Sequence, residues 1–207
     1  MINPHQITEE FEKAVCDYTG APYCVALDNG SSALFLALTF DDIRGKTISI
    51  PKRTYMSVPC EIIHAGGKVH FYDVEGMTLK GAYQLKNSNV IDSALRFTAD
   101  MYNSGTYMCC SFTGPYKHLK LGKGGCILHD NPEADKWFRK SRFSGRNPVS
   151  YREDTFTMLG WNFYMLPEIA IRGLREMQQF YKNGVKKHMP DIELNYPDLS
   201  QFPIYTK

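Results

Sequence analysis

Among the six cysteines there is no Cys-x-x-Cys pair and no zinc-type Cys/His spacing, which argues against a structural zinc site or a disulfide framework. Cys109 and Cys110 are adjacent inside an apolar run, the setting of buried free thiols in a reducing compartment. No apolar run reaches bilayer length; the longest, around residues 33–40, is far too short to span. The first residues are polar, without the basic start and apolar core of a signal peptide. A soluble, cytoplasmic protein with no membrane partner and no metal is expected. A strong charge of either sign is missing too; a net +2 over 207 residues gives no reason to expect a nucleic-acid or anionic-membrane partner. Internal repeats and low-complexity tracts are absent. The apolar fraction of 43% and charged fraction of 22% support a full core, and the length fits one domain, or one domain with a small appendage.

The most informative stretch is Cys109–His129, CCSFTGPYKHLKLGKGGCILH. A short apolar run leads into a polar loop with Ser111, Gly114, Pro115 and Lys117. Gly122, Gly124 and Gly125 follow, and then a second apolar run, Cys126–Leu128. The pattern predicts two strands that hold an irregular, functional loop. A single Lys in such a loop forms a Schiff base with an aldehyde cofactor if its pKa is lowered and a phosphate site lies nearby. On this stretch alone the favoured reading is a solvated basic cluster of Lys117, Lys120 and Lys123. A phosphate-binding P-loop is excluded: Gly124 follows Gly122-Lys123 where that motif needs Ser or Thr, and the upstream Gly is out of place.

In chain order, Ile7, Phe11, Ala14, Val15 and Tyr18 recur at helical spacing and Gly20 closes that helix. Residues 23–27 read as a buried strand. Asp28-Asn29-Gly30 is a turn, with Ser31-Ser32 capping a helix from Ala33 to about Ile43 that is apolar nearly all round. A strand entering a helix N-terminus this way is a ready anion site, although such caps are common without a ligand. A strand at 47–50 ends at Pro51, a helix at 54–64 is expected to bend at Pro59, and a strand follows at 68–74. Residues 75–88 read as a loop with Tyr83 and Leu85 tucked in, and 89–91 as a brief strand ending at Asp92. A helix begins at Asn131-Pro132 and runs toward Gly145, its Lys136, Arg139, Lys140 and Arg142 forming a solvated face. Residues 144–159 are irregular, 167–181 form a helix, and the tail from Asn183 lies along the surface. Strand–helix alternation argues for an α/β protein with a mainly parallel sheet.

Taken together, these stretches resemble the DegT/DnrJ/StrS-type sugar aminotransferases, pyridoxal-phosphate enzymes of fold type I, over about residues 11–181. The matching segments, in the family's order, are Phe11–Ala21; Asn29-Gly30-Ser31-Ser32-Ala33-Leu34; Ile50-Pro51 with Thr54-Tyr55; Ala65-Gly66-Gly67 leading to Asp73; Asp92-Ser93-Ala94; Ser111-Phe112, Lys117 and Gly122–Gly125; and Gly160-Trp161-Asn162-Phe163. The resemblance implies a reduced fold type I large domain at residues 1–182, a mainly parallel mixed sheet flanked by helices, with a C-terminal tail at 183–207. It implies pyridoxal 5'-phosphate as cofactor and gives each residue a role. Lys117 holds the cofactor as a Schiff base and moves the proton between carbons. Asp92 pairs with the pyridine nitrogen and Tyr55 stacks on the ring. Gly30, Ser31, Ser32 and Ser111 hold the phosphate, and Asn162 reaches the phosphate of the other protomer of a homodimer with shared active sites.

The departures from the family are specific. Its members are longer, the passage from Asp73 to Asp92 is too short for the usual strand–helix–strand–helix, and the C-terminal small domain is largely missing after Tyr181. One extra residue separates Ser111 from Lys117. Leu95 stands where Gln or His is usual, and Lys123 where Glu is usual. The leading expectation is transfer of an amino group from a glutamate-like donor to a keto-sugar, nucleotide-linked. The alternative is a catalytically reduced, pyridoxal-phosphate-binding or regulatory protein that retains the fold. Dehydration on a sugar is a third chemistry; members known for it usually carry His at the Schiff-base position, where this chain has Lys117.

Overall fold

The computed structural model describes residues 4–74, 81–182 and 196–206. Its elements are α1 (Pro4–Thr19), β1 (Tyr23–Leu27), α2 (Gly30–Phe40), β2 (Thr47–Pro51), α3 (Ser57–His64), β3 (Lys68–Tyr72), β4 (Tyr83–Gln84), β5 (Val90–Asp92), β6 (Tyr107–Ser111), β7 (Gly125–His129), α4 (Pro132–Ser141) and α5 (Pro167–Lys182). Five strands form one sheet in the order β1-β7-β6-β5-β4, and β2 pairs with β3 in parallel. Ser49 of β2 and Lys86, just past β4, exchange two backbone hydrogen bonds that join this pair to the larger sheet.

Within the sheet β7 is antiparallel to β1 and β6, β5 is parallel to β6, and β4 is antiparallel to β5. Followed through these pairings and the Ser49–Lys86 bridge, β1, β2, β3, β5 and β6 share one direction, and β4 and β7 oppose it. The chain therefore adopts the expected α/β architecture, a mixed sheet flanked by helices. The reversal of β4 has a simple cause. Only residues 85–89 separate it from β5, too few for the helical crossover that a parallel pair requires.

Side chains alternate along the strands, so the sheet buries two different faces. Val25, Leu27, Cys109 and Ile127 pack with α2 and with Phe138 of α4. Cys24, Ala26, Met108, Cys110, Cys126 and Leu128 pack with Phe11 and Val15 of α1 and with Ala170 and Met177 of α5. The helices α1 and α5 approach so closely that a Cβ at Gly173 would lie 2.4 Å from the Phe11 ring.

Local details differ from the sequence expectation for physical reasons. The helix α2 starts at Gly30 and is capped by Asn29, whose side chain accepts the Ser32 N–H at 2.8 Å; Ser31 and Ser32 are inside it. The helix α3 starts at Ser57, which puts Pro59 in the first turn, where no intrahelical N–H is needed. The solvated basic face expected on α4 is only partly so. Lys136 is exposed, but Arg139 and Arg142 both pair with Glu12, a buried carboxylate on α1. The Glu12 side chain also accepts the Ala26 N–H at 2.8 Å, tying α1, β1 and α4 together. Of the loop expected at 75–88, residues 75–80 lie outside the described residues, and Tyr83–Gln84 form β4. Of the tail, 183–195 lie outside them. Residues 196–206 pack near the end of β2 and against α3, with Leu199 buried.

Candidate active site

Strands that share a direction present their carboxyl ends along one edge of a sheet, where α/β proteins place their ligands. All but one of the residues singled out in the sequence lie just past such an end. Asn29–Ser32 follow β1, Tyr55 follows β2, Asp92 ends β5, and Ser111 ends β6 with Lys117 in the loop beyond.

The start of α2 brings free backbone N–H groups to this edge. Gly30 and Ser31 have no helical carbonyl four residues back, so their N–H groups are available, whereas the Ser32 N–H is taken by Asn29. The Ser31 hydroxyl donates to Ser57 Oγ at 2.8 Å, linking the turn to α3. Ser111 lies directly against Gly30, where an added Cβ would come 2.7 Å from Ser111 Cβ and 3.2 Å from its Oγ. Gly125 allows the same closeness from β7, since its Cβ would lie 2.5 Å from the Asn29 carbonyl carbon. Gly30→Ala is expected to push Ser111 and the turn apart and weaken pyridoxal phosphate binding by about tenfold or more. A fluorescence titration with unchanged affinity would show that the turn does not hold the phosphate.

Asp92 is 5% exposed and stands opposite Tyr83 in the β4–β5 pairing, which puts both side chains on one face. Its Oδ1 accepts the Ala94 N–H at 2.9 Å. The Tyr83 hydroxyl lies 2.5 Å from Thr54 Oγ1 and also interacts with the Asp92 carboxyl. Burial pushes Asp92 above the usual carboxylate range, and the Ala94 N–H, Tyr83 and the Lys117 charge draw it partway back. Lys117 is half-buried, and its Nζ donates to the Ala94 carbonyl at 2.5 Å. Burial lowers its pKa against the opposing pull of Asp92. The solvated-cluster reading thus fails for Lys117, while Lys120 and Lys123 are exposed.

Tyr55 is 49% exposed and makes an edge contact with Tyr196, ring centroids 6.2 Å apart. Asn162 lies apart from this group. It is exposed, with its backbone bridged to Phe143, on a segment that pairs beside β1. Sequence reasoning missed the placement of Tyr83, Thr54 and Tyr196. The first had a readable signal: a hairpin turning at Asn87-Ser88 pairs Tyr83 with Asp92, and Asn87 adopts φ +70 there.

Pyridoxal phosphate presents a phosphate, a ring nitrogen and an aldehyde. The residues fit all three: an open helix start with no room for a Cβ at Gly30, a buried carboxyl, and a half-buried amine of lowered pKa. Among the described residues no group of three or more His, Cys, Asp or Glu is placed to hold a metal ion, and no helix is long and apolar enough to cross a membrane.

Comparison with known proteins gives the same direction. The sequence profile of the DegT/DnrJ/EryC1/StrS aminotransferase family matches residues 2–89. The chain is similar to a UDP-4-amino-4,6-dideoxy-N-acetyl-beta-L-altrosamine transaminase of Campylobacter jejuni, 33% identical over 86% of this chain and 58% of that protein. It is similar to the GDP-perosamine synthase of Caulobacter vibrioides, 26% identical over 82% of this chain and 56% of that protein. Among solved structures, the PLP form of the putative sugar aminotransferase Spr1654 from Streptococcus pneumoniae shares the fold. Its TM-score is 0.69 at 18% identity, over 85% of this chain and 60% of that one. The chain thus spans a little under 60% of the curated relatives it matches. Residues 2–89 thus match the DegT/DnrJ/EryC1/StrS aminotransferase family, and the fold built around them is shared with a sugar aminotransferase structure.

Proposed function

We propose that this protein is a pyridoxal-phosphate-dependent aminotransferase that moves an amino group from a glutamate-like amino acid to a keto-sugar carried on a nucleotide. The observation that carries the reading is the meeting, at one sheet edge, of the Lys117 amine, the buried Asp92 carboxyl and the Ser111-backed start of α2. The names of the two curated relatives support the sugar class of acceptor. The cofactor, when bound, supplies the electron sink for the reaction. Lys117 holds it covalently, and its lowered pKa leaves more neutral amine at physiological pH to accept and return the substrate proton. Asp92 orients the ring through its nitrogen, the amides of Gly30 and Ser31 with the Ser111 hydroxyl anchor the phosphate, and Tyr55 covers a ring face. A second copy of the chain completes the site by contributing Asn162, which is exposed close in sequence to the exposed apolar side chains of Phe156 and Leu159. Free cysteines at 24, 109, 110 and 126, all buried, fit work in the reducing cytoplasm.

The test is a half-reaction. Protein reconstituted with pyridoxal phosphate is expected to be yellow and to lose that band when glutamate is added without acceptor. A yellow protein whose band survives every amino donor would instead be a binding or regulatory protein that retains the fold.

A further inference from the structure

Residues 196–206 form a strap over the carboxyl end of β2. The Leu199 N–H donates to the Lys52 carbonyl at 2.8 Å and the Leu199 side chain is buried. Lys52 reaches Asp198 at 3.5 Å and Asp73 at 2.5 Å. Arg53 Nη1 donates to the Tyr196 carbonyl at 2.9 Å. These contacts hold one side chain beside the candidate site: the half-buried Tyr196, whose ring meets Tyr55 edge-on and whose phenol lies within the electrostatic field of Asp92. Burial pushes that phenol up to about 12, with the Asp92 and Tyr55 charges adding to the effect. A pyridine ring that stacks on Tyr55 and directs its nitrogen at Asp92 has to sit beside the Tyr55 ring that Tyr196 already contacts.

We propose that Tyr196 is a cofactor-positioning residue, a second aromatic wall at the Asp92 end of the site, held there by the strap. The inference rests on the proposed cofactor. Tyr83 flanks Asp92 from the β4 side, and Tyr196 packs on Tyr55 with its phenol in the field of the Asp92 carboxylate. The Asp92 carboxyl is already buried beside Tyr83, and a second aromatic wall on the Tyr55 side would keep water from a ring N–H paired with it, because charge interactions grow as the local dielectric falls. The aromatic surface of Tyr196 also narrows the positions a ring can adopt against Tyr55.

Two readouts test this. In cofactor-free protein, hydrogen exchange of the Leu199 amide is expected to be protected in the wild type and faster in Asp198→Ala, which loosens the strap. Pyridoxal phosphate titrations are then compared for the wild type, Tyr196→Phe and Tyr196→Ala. Tyr196→Phe keeps the ring and is expected to bind within about twofold of the wild type, and Tyr196→Ala about three- to tenfold more weakly. An Ala variant that binds equally or more tightly overturns the proposal, as does an unprotected Leu199 in the wild type. Equal losses in Phe and Ala also overturn it, because a ring-wall role requires rescue by Phe. Protected Leu199 with no cofactor binding by any of the proteins is a different failure. It overturns the aminotransferase reading itself, and the role of Tyr196 with it, while leaving the strap docked.

Discussion

Lys117→Ala protein is expected to admit pyridoxal phosphate without retaining it. After borohydride treatment and exhaustive dialysis, wild-type protein should carry one cofactor mass on the peptide containing Lys117, and the variant none. Conversion of glutamate should fall by about 10²–10⁴-fold or more, the range a positioned proton-transfer group contributes. The structural basis is the half-buried amine held on the Ala94 carbonyl beside Asp92. Lys117→Arg separates charge from chemistry, because a guanidinium stays protonated and cannot form the linkage; it should fail as completely as Ala. The pH dependence has a definite sign. Burial favours the neutral amine, so covalent uptake should rise with pH through a midpoint below the 10.5 of an ordinary lysine. A midpoint at or above that value would show that Asp92, rather than burial, controls the amine.

Glu12→Ala should be the most damaging substitution away from the site. Glu12 Oε2 accepts from Arg139 at 2.7 Å, and Oε1 accepts from Arg142 and from the Ala26 N–H. Removing it leaves the nearly buried Arg142 without a carboxylate and only the Ala26 carbonyl as acceptor, leaves Arg139 with Asp135 and the Cys24 carbonyl, and takes the acceptor from the Ala26 amide. Breaking a buried pair from one side costs about 3–5 kcal/mol, and the low end applies because Arg139 keeps Asp135 and reaches water and Arg142 keeps the Ala26 carbonyl. Urea denaturation of wild-type and variant protein measures the loss. Burial alone would raise the Glu12 pKa, but the charges of Arg142 and Arg139 and the hydrogen bonds from Arg139 and Ala26 bring it below the ordinary 4.5. A carboxyl with a depressed folded-state pKa contributes stability above its unfolded value and loses it as pH falls through the folded value. The wild-type advantage over Glu12→Ala should therefore be full at neutral pH and shrink below pH 4.5. A difference that stays constant into acid would mean the ion pairs contribute nothing.

Much of this architecture was legible in the residue order. The apolar runs around Cys110 and Ile127 with glycines between them specified a loop carried on β6 and β7, and Gly20 marked the end of α1. The phosphate turn was legible as a location, but not its cap. Asn29, Ser31 and Ser32 are all capping residue types, and only the backbone decides which one sits outside the helix. The site residues Asp92 and Lys117 came from the family resemblance; their burial, which sets the chemistry, came only with the fold. Long-range pairings were invisible. Arg139 and Arg142 share periodicity with any solvated helix face, and their partner lies 127 and 130 residues earlier. Arg53 and Tyr196 are 143 residues apart, and nothing local to either announces the contact.

The most direct test of the central claim is a crystal structure of the protein grown with pyridoxal phosphate. The account requires the phosphate on the Gly30 and Ser31 amides beside Ser111, the ring nitrogen on Asp92, and the linkage at Lys117 Nζ, all in one molecule of cofactor. A cofactor attached to another lysine, or a ring whose nitrogen faces solvent while Asp92 keeps only Tyr83 and Ala94, would contradict it.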